Sequence, residues 1–246
     1  MGYGLYLYGI LPAPVPREPR LQGLDQQPVH VHTIEDFVFL YSEAQQERYL
    51  ASRRNLLDHE RVLEQMMHAG YRTLLPLQFG LIIEDWETVA TQLTIPHHDP
   101  LNHLLQKLAG HREVGVKIFW DPAAELQMLM EENQSLKAER DQLEGKNLSM
   151  DQVVRIGQSI EQAIQNRQDN IIQAFRTQLN PVAIEVVENA PLTETMIYNA
   201  AYLIPWDAEA EVSDRIDALD QQFGGRLRIR YNNFTAPFNF ARLDQL

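Results

Sequence analysis

The chain has 246 residues and a formal net charge of −13, with 44% hydrophobic and 22% charged residues. That balance is ordinary for a globular protein, and the length suits one large domain or two small ones around a buried core. An acidic chain repels phosphate backbones and anionic lipid, which argues against nucleic acid and lipid membranes as partners. The absence of cysteine excludes disulfides, thiol nucleophiles and thiolate metal ligands.

The N-terminal sequence MGYGLYLYGI has no basic segment before its apolar residues, so it does not predict a secretory signal. No apolar run reaches the roughly 18 residues that indicate a membrane-spanning helix. We therefore expect a protein made in the cytoplasm, which the lack of cysteine also fits. The same N-terminal residues predict the first strand of a sheet.

The first 120 residues alternate short aromatic or β-branched runs with apolar residues at helical spacing. We predict strands at Tyr3–Leu11, His30–Thr33, Phe37–Tyr41, Tyr71–Ile83 and Glu113–Trp120, and helices at 43–69, 85–93 and 101–108. A proline cluster at Pro12, Pro14, Pro16 and Pro19 predicts a loop. Helices segregated on an antiparallel or mixed sheet are the natural packing, with a ferredoxin-like sandwich as the specific expectation.

The middle of the chain is predicted to be a helical hairpin. Asp121 and Pro122 are a good N-cap and first helical residue, and we predict one helix over 122–145 that ends at Gly145. Leu129, Leu136 and Leu143 fall seven apart on it, a short coiled-coil pattern. A second helix is predicted from Ser149 to Leu179. The leucines would form a dimer seam, or they would cover the chain's own sheet or the next helix, and these alternatives stay open.

The last third returns to strands. We predict strands at Val182–Val187, Thr195–Ile204 and Arg226–Tyr231, with a helix over Asp207–Phe223 before the third. The predicted organisation is α+β, with two ferredoxin-like or related α/β sandwich units linked by a long helical hairpin. Its segments are an N-terminal domain over 1–120, the hairpin over 121–179 and a C-terminal α+β unit over 180–246.

Two features near the C-terminus are candidate partner-binding surfaces. In the predicted strand, the period of two places Arg226, Arg228 and Arg230 on one face. That face either forms ion pairs with acidic neighbours or docks a carboxylate-bearing partner. The following aromatic residues, which are Phe234, Phe238 and Phe240, either pack on their own sheet or form an exposed apolar patch.

The sequence offers little catalytic chemistry. His97, His98, His103 and His111 lie close along the chain, but their spacing does not fit a metal site on one helix face. No nucleophile elbow, phosphate-binding loop or dinucleotide fingerprint is present. We predict no enzyme activity, no metal and no cofactor. The alternative is an enzyme or small-ligand module on a ferredoxin-like sheet, which needs a pocket with convergent polar groups.

Several runs resemble the GvpF/GvpL family of gas vesicle proteins. They are YLYGI, LLPLQFG, EVGVKIFW, and the long C-terminal stretch with NPVAIEVVENAPLTETMIYNAAYLIPWD, GGRLRIRYNN and APFNF. The resemblance covers essentially the whole chain and agrees with that family's two α+β units bridged by helices. Many relatives carry arginine where this chain has Gln78, so a role that needs a cation there is not expected here.

The resemblance implies a minor structural or assembly component of the gas vesicle, the hollow protein shell that gives aquatic microbes buoyancy. It implies contact with the small shell protein GvpA and with other gas vesicle proteins. The mechanism that we expect is masking of an apolar surface of GvpA, which delays its aggregation during nucleation. A coiled-coil adaptor is a further alternative.

Overall fold

The computed structural model describes residues 3–14, 19–141 and 149–242. The chain divides into two compact units. The first unit comprises Met1–Val114, Ala201–Glu209 and Asn232–Leu246, and the second comprises Gly115–Ala200 and Ala210–Tyr231. The predicted segments 1–120, 121–179 and 180–246 divide the chain along its sequence, whereas each of these units combines separate stretches of the chain. The predicted segments therefore stay a prediction.

The first sheet is antiparallel and is built around the N-terminal strand. Its strands are β1 (Leu5–Pro12), β2 (His30–Ile34), β3 (Phe37–Glu43), β4 (Leu75–Pro76) and β5 (Ile82–Ile83). The order is β2-β3-β1-β4, and β5 also pairs with β1. The first three predicted strands are therefore confirmed. Pro12, predicted in the loop, is instead the last residue of β1 and pairs with Phe37, whereas Pro14 and Pro19 follow the strand. Residues 15–18, which include Pro16, lie outside the described residues.

A single strand over Tyr71–Ile83 was a wrong prediction. The structure forms two short strands there, β4 and β5, and both pair with β1. Gly80 lies between them with a φ of 90°, a conformation that breaks a regular strand. Pro76 lies in β4 at the end of the sheet order, where the missing N–H of proline is tolerated.

Helix α1 (Arg53–His68) packs on this sheet and begins at the N-cap Ser52, whose side chain accepts a hydrogen bond from Asn55 N. It is shorter than the predicted 43–69. At Gly9 of β1, an added Cβ would lie 2.9 Å from a Leu63 methyl group and 3.0 Å from the Leu75 oxygen. Glycine is therefore what allows β1 to approach both the helix and β4 so closely.

Two further helices complete the first unit before residue 114. Helix α2 (Trp86–Val89) continues into a π-helical turn over Ala90–Thr94, and helix α3 follows at His98–Leu108. Helix α3 buries four leucines, which are Leu101, Leu104, Leu105 and Leu108. Their three- and four-residue spacing is the amphipathic signal that predicted a helix in this region.

The second sheet consists of β6 (His111–Phe119), β7 (Glu185–Glu188), β8 (Met196–Pro205) and β9 (Arg228–Thr235), in the order β7-β8-β6-β9. The sequence pattern had grouped the strand at 113–120 with the N-terminal strands, and this was wrong, because β6 belongs to the second sheet. Helices fall between β6 and β7 and between β8 and β9. That β-α-β-β-α-β sequence is the ferredoxin-like arrangement, so the predicted α+β class is confirmed.

The helices between β6 and β7 are α4 (Pro122–Glu132), α5 (Gln134–Asp141) and α6 (Met150–Leu179). The predicted continuous helix over 122–145 is wrong within the described residues, because Asn133 has a non-helical φ of −116° and ψ of 90°. Its side-chain oxygen accepts a hydrogen bond from Leu136 N, so the asparagine starts a new helix. Leu143 and Gly145 lie outside the described residues.

Helix α6 begins as predicted. Ser149 and Gln152 form a reciprocal capping box, in which each side chain accepts a hydrogen bond from the other residue's backbone N–H. Both α4 and α5 pack against α6, as a helical hairpin requires. Helix α7 (Glu209–Gln222) precedes β9. None of the helices in the described ranges is long and apolar enough to cross a membrane.

Candidate functional site

The arginines predicted from sequence lie at the start of β9. Strand β9 begins at Arg228, so Arg226 precedes it, and Leu227 is buried while Arg228 and Arg230 are exposed. The predicted alternation of the two faces is therefore confirmed. Because β9 is the last strand in the sheet order, these arginines stand on an edge strand.

Arg228 and Arg230 share one aromatic contact. The guanidinium carbon of Arg228 lies 4.3 Å from the centre of the Phe119 ring, and that of Arg230 lies 5.1 Å from it. Phe119 is the last residue of β6, the strand next to β9, and is only 6% exposed. Each such cation–π contact contributes about 0.5–1 kcal/mol at an exposed site and limits the conformations of the arginine. Phe119 was not among the predicted site residues.

These two arginines have no ion-pair partner among the described residues, whereas Arg226 has one. The Arg226 Nε atom lies 2.7 Å from Glu125 Oε1, and its guanidinium stands over the Phe223 ring at 5.3 Å. For Arg226, the alternative of an ion pair with an acidic neighbour is therefore what the structure shows. The neighbour belongs to helix α4 rather than to an adjacent strand.

Glu125 is the centre of a buried ion-pair network in the second unit. It is 2% exposed, and its other oxygen lies 2.6 Å from Arg167 Nε on helix α6. Arg167 also contacts Glu132, with Nη1 at 2.7 Å from Oε2. The hydrogen bond from Arg167 lowers the pKa of the Glu132 carboxyl, and the same bond raises the pKa of Arg167. The network joins α4, α6 and Arg226, which lies two residues before β9.

A groove of about 450 Å³ lies beside the exposed arginines. It is lined by Phe119, Trp120, Asp121, Pro122, Thr195, Arg226 and Arg228. Aromatic and proline side chains supply apolar surface, and the guanidinium groups supply charge-assisted donors. The groove can therefore take an apolar side chain next to a carboxylate.

The aromatic residues predicted as a patch belong to the first unit and differ in burial. Phe240 is fully buried, with Lys107 Nζ 5.6 Å from the centre of its ring. Phe238 is half-buried and packs on the core 6.2 Å from the His59 ring. Phe234 is half-buried and stacks on His68 at 4.0 Å. Phe240 is therefore part of the core rather than of a surface patch, because the chain around it is anchored.

The anchor is Glu113, which was not among the predicted site residues either. It is 4% exposed and accepts hydrogen bonds from Asn239, at 2.9 Å from the backbone N–H and 2.6 Å from the side-chain amide. Burial raises the pKa of the Glu113 carboxyl to about 7, although both hydrogen bonds oppose that shift. A charged residue at the start of a predicted strand gives no local signal that it will be buried.

The histidines do not gather into a metal site. Within residues 3–14, 19–141 and 149–242, no group of three or more His, Cys, Asp or Glu side chains could hold a metal ion. His98 instead lies near two carboxylates, with Nε2 at 3.8 Å from Glu35 and 3.5 Å from Asp36. The hydrogen bond to Asp99 is the main cause of a raised pKa of His98, and Glu35 and Asp36 add to it.

Comparisons with known proteins agree along the whole chain. A family model described as gas vesicle synthesis protein GvpL/GvpF matches residues 4–242. Gas vesicle protein F of Dolichospermum flosaquae is 60% identical over 244 residues, which cover 99% of this chain and 100% of that protein.

Solved structures give the same result. The crystal structure of gas vesicle protein GvpF from an Anabaena species has a TM-score of 0.90 and 60% identity, covering 97% of this chain and 98% of that one. GvpF from Microcystis aeruginosa has a TM-score of 0.85 and 57% identity, covering 98% and 99%. By family model, sequence identity and fold together, the chain belongs to the GvpL/GvpF family of gas vesicle proteins.

Proposed function

We propose that this chain is a non-enzymatic assembly component of the gas vesicle that binds the shell protein GvpA and delays its aggregation before incorporation. Full-length similarity to proteins named gas vesicle protein F supports a role at the vesicle. In this proposal the chain is made in the cytoplasm and acts where the vesicle shell grows.

The physical need for such a component follows from the shell. A wall that keeps liquid water out of a gas space must present an apolar face. Free subunits with such a face associate in water through the hydrophobic effect. A partner with a net charge of −13 would cover part of that face and keep the complexes apart by mutual repulsion.

The observation that supports this contact is the pair Arg228 and Arg230 on the edge strand β9. Both guanidinium groups lie over the Phe119 ring, and neither has an ion-pair partner among the described residues. An edge strand offers backbone groups to an added strand, and its exposed side chains select the partner's residues. Carboxylates on a GvpA segment beside β9 would pair with the two arginines, and an apolar neighbour would enter the groove.

The remaining predicted residues have different roles in this proposal. Arg226 lines the groove but is paired with Glu125, so in this proposal it shapes the groove and does not bind the partner's carboxylate. Phe234, half-buried in the first unit, is a separate proposed contact. Phe238 and Phe240 would reach a partner only if the C-terminal segment left Glu113.

The test combines pull-down with turbidity of solubilised GvpA. The double variant Arg228→Glu/Arg230→Glu should lose about tenfold or more in affinity, since charge-assisted hydrogen bonds contribute about 1.5–3 kcal/mol each. The matched control is Arg53→Glu/Arg155→Glu, which changes the net charge equally at two exposed positions elsewhere.

The proposal requires wild type and control to delay turbidity while the β9 variant does not. Equal delay by all three proteins would reject the arginine contact. No binding and no delay by the wild type would reject the function itself. A small metabolite that copurifies with the chain and occupies a polar pocket would instead favour the ligand-binding alternative.

A further inference from the structure

The first unit contains a cluster of cationic and aromatic side chains that includes Phe234 but none of the three arginines discussed above. Trp206 and Phe234 meet edge to face, with ring centres 6.1 Å apart at 87°. The guanidinium of Arg72 lies 4.6 Å from the Trp206 ring centre. That of Arg112 lies 5.1 Å from Trp206 and 5.1 Å from Phe234. His68 stacks on Phe234 at an interplanar angle of 12°.

The cluster is held in place from several elements. His68 is the last residue of α1, Arg112 lies in β6, Phe234 lies in β9, and Trp206 directly follows β8. The Trp206 backbone N–H donates a hydrogen bond to the Gly110 oxygen at 2.9 Å. Arg112 donates through Nη2 to the backbone oxygen of Asn233. The rings and one guanidinium are therefore fixed before any ligand arrives.

These side chains surround a pocket of about 500 Å³. Its lining is Met67, His68, Gly70, Arg72, Arg112, Trp206, Glu209, Asn233 and Phe234. The lining carries two guanidinium groups, those of Arg72 and Arg112, and one carboxylate, that of Glu209. On a chain that carries −13 overall, this local excess of positive charge favours an anion.

We propose that this pocket binds a singly charged carboxylate, with Arg72 as the principal donor. A guanidinium that stacks on a ring uses its face and leaves the N–H groups at its edge for a planar acceptor. Arg72 is exposed and forms no ion pair within the described residues. A single negative charge matches the charge of the pocket, whereas the Glu209 carboxylate disfavours a dianionic phosphate.

The carboxylate has two possible sources, an acidic residue of a polypeptide and a free small carboxylate. Both offer the same planar acceptor to Arg72, and apolar contacts with Trp206 and Met67 would favour a ligand with an attached carbon chain. The pocket shares Phe234 with the proposed GvpA contacts but includes none of Arg226, Arg228 and Arg230, so the acetate titration and the GvpA pull-down test different arginines.

The experiment follows the indole N–H signals of the full chain by ¹⁵N NMR during titration. The chain has three tryptophans, so Trp86 and Trp120 serve as internal references for Trp206. The probes are acetate, acetamide, inorganic phosphate and a short peptide. The peptide is N-acetylated and C-amidated, and the side-chain carboxylate of one glutamate is its only charge. Acetate and the peptide should shift the Trp206 signal in a saturating manner, and acetamide should not.

Arg72→Gln should weaken acetate binding about tenfold or more, since a charge-assisted pair is lost. Arg72→Lys should recover only part of it, because lysine keeps the charge without the planar fork. Arg53→Gln, at an exposed position with the same charge change, should bind as the wild type does.

Tighter binding of the peptide than of acetate identifies a polypeptide source, and equal binding identifies a free carboxylate; both outcomes support the site. A Trp206 signal that acetate does not move, that acetamide moves equally, or that phosphate moves more strongly would overturn the proposal. Unchanged acetate binding in Arg72→Gln would overturn the assignment of Arg72.

Discussion

Asn239 donates two hydrogen bonds to Glu113, one from its backbone N–H at 2.9 Å and one from its side-chain amide at 2.6 Å. The two residues lie 126 positions apart, and the pair holds the C-terminal segment in the first unit. Glu113 is buried, so the contact ties the position of Phe240 to a carboxyl group that titrates near neutrality.

This pair predicts a pH dependence of folding. The folded-state pKa of Glu113 is raised from 4.5 to about 7, so the folded chain binds the proton more tightly than the unfolded chain. Its contribution is therefore fully present below about pH 4.5 and is lost as the pH rises through about 7, on the order of 3 kcal/mol in total.

In Glu113→Gln the decrease in unfolding free energy between about pH 4.5 and pH 7 should become smaller, because the amide does not titrate. Urea unfolding at several pH values measures it. Glu47→Gln, an exposed position in the first unit, should keep the wild-type slope. An unchanged slope in Glu113→Gln would contradict the assignment.

His59 should give folding stability the opposite pH dependence from Glu113, with stability lost in acid. It is 2% exposed, and its ring nitrogens contact Tyr6 Oη at 2.9 Å and the Leu77 oxygen at 3.2 Å. Burial lowers its pKa from 6.5 to about 4, so the ring is neutral at pH 7. The Leu77 carbonyl can only accept, so Nε2 carries the proton and Nδ1 accepts from the tyrosine hydroxyl. The stability due to the neutral ring is present above pH 6.5 and is lost as the pH falls towards 4.

His59→Ala should lower the unfolding free energy by about 2–5 kcal/mol at pH 7, since it leaves a cavity and two buried polar groups without partners. The acid-side slope should also flatten. Thermal and urea unfolding measure both effects, and His103→Ala, at an exposed position, should change stability by less than about 0.5 kcal/mol. Equal effects of the two substitutions would count against the buried network.

The Glu125 network predicts a large cost when its central carboxylate is removed. Glu125→Ala leaves Arg167 and Arg226 without their buried partner, although Arg167 keeps Glu132. We expect a loss of about 3–5 kcal/mol in unfolding free energy, measured by urea denaturation. Glu131→Ala on the exposed side of the same helix is the control and should change stability by less than about 0.5 kcal/mol. A cost below about 1 kcal/mol for Glu125→Ala would show that the pair is not energetically important.

Two glycine-to-alanine substitutions should act in opposite directions. At Gly23 an added Cβ would lie 1.9 Å from the hydroxyl of Tyr8, a fully buried residue that bonds Ser42 and the Leu24 N–H. Gly23→Ala should therefore cost about 1–3 kcal/mol through overpacking. Gly157 lies in helix α6 with nothing near the Cβ position, so Gly157→Ala should add about 0.5–1 kcal/mol. Melting temperatures of the two variants should move in opposite directions, and a shared direction would contradict the glycine environments.

The sequence by itself determined what depends on neighbouring residues. The α+β class, most of the strands and helices, the Ser149 cap and the alternation of Arg228 and Arg230 around Ile229 follow from local periodicity and capping chemistry. Membership of a gas vesicle family followed from runs spread over the whole chain, and the full-length comparisons confirm it.

Only the tertiary structure decided what depends on residues far apart in the chain. Periodicity identifies β6 as a strand but does not say which sheet it joins, because that choice rests on pairing with β8 and β9. Glu113 and Glu125 look like surface carboxylates in the sequence, yet they are buried because Asn239 and Arg167, distant along the chain, satisfy them. Burying a charge is costly unless such partners arrive, and only the folded chain brings them together.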